Sequence, residues 1–143
     1  MKIKVPLNII CIEEEGFHPH INVEINDKPG VMLVDTGASK TVFDSTTIND
    51  YIKNLKTLFH DKLTTGLGTS SMKSHTTTIK KIVIGKLVLH EFNTVLLDLS
   101  HVNNSYKQLG LPKINGVLGS DLLMKFRGAV DFNKRQLILY NIS

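Results

Sequence analysis

Residues 21–39 constrain the fold more than any other part of this chain. Ile21, Val23 and Ile25 alternate with Asn22, Glu24 and Asn26, the period of a strand with one face buried. Asn26-Asp27-Lys28-Pro29-Gly30 is a dense run of turn formers. Val31, Met32, Leu33 and Val34 then make a short, unbroken apolar strand. It ends abruptly in Asp35-Thr36-Gly37-Ala38-Ser39. A buried strand that delivers a carboxylate into a tight loop fixes both a β-hairpin and the place where polar chemistry emerges from it.

The rest of the chain reads as further short strands. Residues 3–12 are apolar and β-prone, and Thr41-Val42-Phe43 leaves the loop as a strand. A helix is expected next, capped by Asp44 or Ser45, with Ile48, Tyr51, Ile52 and Leu55 on one face. Residues 64–78 are rich in Thr, Ser and Gly. Ile79, Ile82, Val83 and Ile84, a turn at Gly85-Lys86 and the apolar run 87–97 follow as a meander. Residues 99–113 are the least regular; Ser100 could cap a short helix ending at Gly110. Val117-Leu118 signals another buried strand before Gly119. Ser120 or Asp121 caps a helix carrying Leu122, Leu123 and Phe126, and residues 129–140 close the chain as a hairpin turning at Asn133-Lys134. The expected class is all-β: a small closed β-barrel with two or three short helices. With 143 residues, no repeat and no linker, one domain over 1–143, its core at about 17–140, is expected.

Composition removes several classes of function. The net charge is +4, but the basic residues are scattered and Lys80-Lys81 and Lys134-Arg135 are their only adjacent pairs. Aromatics are few and tryptophan is absent, so no stacking platform for nucleic acid is expected. No run approaches the roughly 20 apolar residues of a membrane span, and residues 1–16 lack a signal-peptide cleavage pattern; a cytoplasmic location is expected. The single cysteine, Cys11, reads as a small apolar residue in a strand. His18 and His20 lie two apart in a strand and so face the same way. No third metal ligand accompanies them, and a solvated strand face is the expectation. No metal and no cofactor is expected, and no serine- or cysteine-nucleophile motif is present.

Asp35-Thr36-Gly37 can be read in two ways. Asp, Thr and Gly are ordinary turn residues, and the tripeptide alone fits a plain connection between strands. It also suits a rigidly presented carboxylate. Gly37 permits close approach of another chain or a positive φ, and the Thr36 hydroxyl can bond to backbone.

The wider context resembles one family. The run Leu33-Val34-Asp35-Thr36-Gly37-Ala38-Ser39-Lys40-Thr41-Val42-Phe43 is similar to the active-site segment of retroviral-type, or retropepsin-like, aspartic proteases. Ile114-Asn115-Gly116-Val117-Leu118-Gly119-Ser120-Asp121-Leu122-Leu123 is similar to the strand and helix that such folds pack behind the catalytic loop. The resemblance spans about residues 21–140 and is nearest to single-domain members of bacterial or retroelement type. It implies an acid-protease-type barrel and an aspartic endopeptidase. Asp35 would be catalytic, and Thr36, Gly37, Ala38 and Ser39 would form its loop. Val117, Leu118 and Gly119 would support that loop. Thr65, Gly66, Leu67 and Gly68 fall where the family carries its substrate-covering flap, although a plain surface loop fits them too. Residues 99–113 would flank the cleft or be a surface excursion.

Pepsin-type chains carry two Asp-Thr-Gly motifs; this chain has one. The resemblance therefore implies a homodimer that pairs two Asp35 residues across a two-fold axis and takes a peptide or protein substrate. Two close carboxylates share one proton, one acting as base on a water and the other as acid toward the peptide; the aspartic-protease dyad is the standard example of that rule. Ala38 stands where pepsins place a hydroxyl donor, so activity is expected at mildly acidic to neutral pH. The family's short N-terminal strand is replaced here by a longer segment, which leaves the dimer mode open. The alternatives are a monomeric peptide- or protein-binding module on the same fold, or an unrelated barrel with Asp35 in an unremarkable exposed loop.

Overall fold

A computed structural model describes residues 1–14, 16–53, 58–60 and 74–141. Its strands are β1 (Lys2–Pro6), β2 (Asn8–Ile12), β3 (Gly16–Ile25), β4 (Lys28–Val34), β5 (Val42–Asp44), β6 (Leu58–His60), β7 (Ser74–Ile84), β8 (Leu87–Leu97), β9 (Gly116–Leu118), β10 (Ala129–Asp131) and β11 (Gln136–Tyr140). Two α-helices, α1 (Ser100–Gln108) and α2 (Ser120–Lys125), and one 3₁₀ turn (Ile48–Asp50) complete the described elements.

Eight strands form one sheet in the order β2-β3-β4-β9-β5-β8-β7-β6, and β3 also pairs with β7. That extra pairing, Glu24 with Val83 and Ile25 with Ile82, closes a six-stranded barrel. Closure leaves the barrel strands without free edges. Ile21, Val23 and Ile25 point inward from β3, Met32 and Val34 from β4, and Phe43 from β5. Ile79, Ile82 and Ile84 from β7 and Leu96 and Leu118 from β8 and β9 fill the remainder. The alternation legible in residues 21–25 is therefore the inward and outward period of a barrel wall.

The all-β expectation holds, and three local readings are corrected. Residues 3–12 are two strands. The chain turns at Leu7, whose N–H donates to the Arg135 carbonyl (2.9 Å). β1 then joins a separate three-stranded sheet ordered β1-β11-β10, while β2 edges the barrel sheet. The helix expected after Asp44 shrinks to the single turn at Ile48–Asp50. Thr46, Thr47, Asn49 and Asp50 are weak helix formers, and Asp44 ends β5 as a fully buried carboxylate. Leu55, assigned to that helix face, lies outside the described residues. The third correction concerns His18 and His20. His20 is only 1% exposed, because Tyr106 of α1 covers it.

α1 starts where expected, but Ser100 is its first residue; the N–H of Ser100 is capped by the Asp98 carboxylate (2.8 Å). Gly110 follows at φ +70°, as a helix stop in the left-handed region should. Cys11 lies in a strand as expected, with an exposed side chain.

Candidate active site

β4 carries Asp35 at its end, and β9 is threaded between the two strands that flank the loop. β9 runs parallel to β4, with Leu33 opposite Val117 and Val34 opposite Leu118. It runs antiparallel to β5, with Val42 opposite Val117. A parallel neighbour must arrive by a long crossover, and here residues 35–115, β5 among them, lie between β4 and β9. The Asp35 N–H donates to the Leu118 carbonyl (3.0 Å), so the first residue of the loop is still part of the ladder.

The loop itself is tied at each step. The Gly37 N–H donates to Asp35 Oδ1 (2.9 Å), and the Ala38 N–H donates to the Asp35 carbonyl (3.1 Å). The Ala38 carbonyl accepts from the Ser120 N–H (2.7 Å) at the start of α2. Gly37 has no positive φ. A Cβ there would sit 3.3 Å from Asp35 Oδ1, so its service is space and an N–H beside the carboxylate. Asp35, Thr36, Gly37 and Ser39 are exposed and Ala38 is half-buried. The Thr36 hydroxyl has no hydrogen bond among the described residues.

Val117, Leu118 and Gly119 do stand behind the loop. A Cβ on Gly119 would lie 2.7 Å from the Lys40 carbonyl carbon and 2.8 Å from the carbonyl oxygens of Ala38 and Lys40. The two chain segments touch backbone to backbone there. Gly116 is equally confined, with the Val42 carbonyl oxygen 2.7 Å from such a Cβ.

Thr41 and Asp121 supply a second tie that the sequence reading missed. Asp121, expected as a helix cap, accepts from the Thr41 N–H (3.0 Å to either carboxylate oxygen) and from the Thr41 hydroxyl (2.7 Å to Oδ1). The same hydroxyl accepts from the Gly119 N–H (3.0 Å). One side chain thus joins the loop's exit, the end of β9 and α2. Asn115 does similar work at the other end of β9. Its Oδ1 accepts from the Val31 N–H (3.0 Å), and its own N–H donates to the Val31 carbonyl (2.7 Å). The resemblance implied that residues 114–123 pack behind the loop, but nothing in the sequence pairs Asp121 with Thr41 or Asn115 with Val31, contacts 80 and 84 residues apart.

Thr41→Val tests this tie. It keeps the shape of the side chain but strands a buried N–H and removes a bond to a carboxylate, at a cost of about 2–3 kcal/mol. Urea unfolding should show a lower midpoint, and Thr41→Ser should restore most of it. Equal midpoints for wild type and Thr41→Val would remove Thr41 from the support of the loop.

Residues 65–68, assigned to the flap, lie outside the described residues. β6 and β7 pair antiparallel on either side of that segment, Leu58 with Thr76 and His60 with Ser74. No group of three or more His, Cys, Asp or Glu with metal-binding geometry occurs among the described residues. None of the described helices is long and apolar enough to cross a membrane.

The comparisons with known proteins agree with this geometry. A family model described as aspartyl protease matches residues 21–122. The structure is similar to a retropepsin-like aspartic protease from Rickettsia conorii (TM-score 0.60, 23% identity, 98% of this chain and 91% of that one). It is also similar to EIAV protease complexed with the inhibitor HBY-793 (TM-score 0.55, 21% identity, 81% and 93%). A third likeness is to the retroviral protease-like domain of Ddi1 from Leishmania major (TM-score 0.55, 14% identity, 86% and 88%). No curated protein matches. With its family match covering most of the chain and Asp35 held at the end of β4 by β9, the chain belongs to the aspartyl protease family and has a retropepsin-like fold.

Proposed function

We propose that this protein is an aspartic endopeptidase whose catalytic dyad consists of two Asp35 residues, one from each chain of a C2 homodimer. The observation that carries the reading is a lone exposed carboxylate on a loop held rigid from behind. Asp35 is exposed in the single chain, while its loop is anchored through Leu118, Ser120 and the Thr41–Asp121 tie. Such anchoring distinguishes it from an unremarkable turn. One carboxylate can serve as base or as acid but not as both at once, so a peptide hydrolase of this type needs a second copy.

In the dimer one Asp35 carboxylate takes a proton from a water, which attacks the peptide carbonyl. The other, protonated, polarises that carbonyl and then protonates the leaving nitrogen. The pair titrates as a unit, and like charges at short range hold one proton between them. Residues 1–143 act as one domain in this reading, and residues 65–68 close over an extended peptide. Ala38 offers no side-chain hydroxyl to the carboxylate, which favours a mildly acidic to neutral rate optimum. A profile peaking near pH 2 would contradict it.

Subunit mixing tests the shared site. Wild-type chain is equilibrated with an equal amount of Asp35→Asn chain. Random pairing leaves about half of the wild-type chains in mixed, inactive dimers, so activity per wild-type chain should fall by about half. Unchanged activity per wild-type chain would show that one chain suffices and would sink the dyad.

A further inference from the structure

The pair His18 and His20, which the catalytic reading does not use, meets a third group from a distant element. His18 Nδ1 lies 2.7 Å from the Tyr106 hydroxyl, and His20 Nε2 lies 3.1 Å from the same oxygen. Tyr106 is buried in α1, 2% exposed, and its ring is tilted against both imidazoles, with centroids 5.9 and 5.4 Å away. We propose that Tyr106, His18 and His20 form an acid-released clasp that fastens α1 to the outer face of the barrel at neutral pH.

The proton count explains why such a clasp opens in acid. The hydroxyl has one proton to give and lone pairs to accept with. It can donate to one imidazole and accept N–H from the other. His20 has no further hydrogen-bond partner among the described residues. The cheapest arrangement gives His20 its N–H at Nε2, donating to Tyr106, and leaves His18 Nδ1 as the acceptor. Protonating His20 then creates an Nδ1–H in a buried site with nothing to receive it.

The surroundings offer no relief. The residues directly opposite in the ladders, and so on the same face, are Asn8 and Ile10 from β2 and Leu33 from β4. None of these ionises. From α1 the titratable side chains besides Tyr106 are His101 and Lys107, both exposed. Burial first, and the neighbouring His18 second, lower the His20 pKa from 6.5 to about 4. A depressed histidine pKa means that the open or unfolded form binds more protons between those two values. The closed form is therefore favoured above pH 6.5 and loses that advantage as pH falls toward 4.

The clasp holds a segment that matters to the barrel. α1 is also tied by Asn103, which accepts from the Ile114 N–H (2.8 Å) and donates to the Ile114 carbonyl (3.0 Å). Asn103 further donates to the buried Asp44 carboxylate (3.3 Å). The Leu111 N–H donates to the Tyr106 carbonyl (2.9 Å). Residues 99–113 thus lead into Asn115 and β9 as a braced unit whose outer fastening is the imidazole pair. The clasp needs no catalytic activity and stands or falls apart from the dyad.

Amide hydrogen exchange on the full chain, corrected for intrinsic rates, tests it at pH 6.5 and 4.5. Linkage through His20 alone should raise the opening constant of α1 roughly 40-fold over that interval. The α1 amides should exchange ahead of those of β4 and β9. His20→Gln retains a side-chain N–H for Tyr106 but does not titrate, so its α1 opening should be nearly flat with pH. If that variant fails to fold, the imidazole NMR titration of wild type decides: His20 should stay neutral well below pH 6.5. Equal α1 protection at both pH values, a wild-type rise in His20→Gln, simultaneous opening of α1 and the barrel strands, or ordinary titration of His20 with α1 still protected would each overturn the clasp.

Discussion

Asp35→Asn should reduce peptide cleavage by at least about 10³-fold while leaving the fold in place. In the proposed dyad the base and the acid are the same residue in two copies, so the substitution removes both at one stroke; a single positioned acid or base contributes roughly 10²–10⁴-fold. The fold should survive because the carboxylate is exposed and has one hydrogen-bond partner among the described residues. Asparagine keeps an Oδ1 acceptor for the Gly37 N–H, which now bonds at 2.9 Å. The change in stability should stay within about 1 kcal/mol. Both halves are measurable on one preparation, by hydrolysis of a denatured protein substrate and by thermal melting. Cleavage at wild-type rates would exclude the dyad. Lost cleavage with an equally lost melting transition would show Asp35 acting on structure instead.

Gly119→Ala should be the most damaging small substitution among the residues behind the loop. The added methyl would meet three backbone atoms of residues 38 and 40 at 2.7–2.8 Å, and backbone cannot rotate away as a side-chain tip can. Relief requires α2 and the loop to separate. Separation stretches the Ser120-to-Ala38 bond (2.7 Å) and the Gly119-to-Thr41 bond (3.0 Å). Overpacking costs about 1–3 kcal/mol and each weakened bond about 1 kcal/mol. A loss of about 3 kcal/mol or more is expected, or roughly 10 °C in Tm for a chain of this size. Activity should fall further than stability, because the displaced segment is the one that carries Asp35.

Gly110→Ala is the matched control. Gly110 has φ +70°, and a methyl added there would have nothing within 4 Å. Its penalty is therefore conformational, about 1 kcal/mol, and cleavage should be untouched. If Gly119→Ala melted with wild type, the backbone contact between α2 and the loop would not exist in solution.

The sequence and the structure divide the explanation along physical lines. Period-two alternation in residues 21–25, the turn formers after them and the apolar run into Asp35 are local facts. They depend on side-chain direction along one strand, and the structure reproduces them as β3, the hairpin and β4. The β7–β8 meander, α2 and the final hairpin were legible for the same reason. The helix expected after Asp44 was not, because its apolar spacing suits a helix while its Thr, Asn and Asp residues do not. The outcome there is decided by Asp44. Its buried carboxylate accepts from Thr46, Leu99 and Asn103, and two of those partners lie more than 50 residues away.

Asp35 was visible in the sequence alone, since a lone carboxylate after a buried strand, with Thr-Gly behind it, has a local signature. The single such motif in these 143 residues is also what prompts the proposal of a dyad shared between two chains. Only the tertiary structure decided what holds the loop. It placed β9 between β4 and β5, brought Asp121 to Thr41, and left Gly119 no room for a side chain. It likewise turned His18 and His20 from an expected solvated face into a cluster under Tyr106, with His20 buried and His18 half-buried. Those outcomes depend on pairings across 78 to 88 residues. Such pairings are selected by closing the barrel and burying its surfaces together, and no stretch of sequence encodes them by itself.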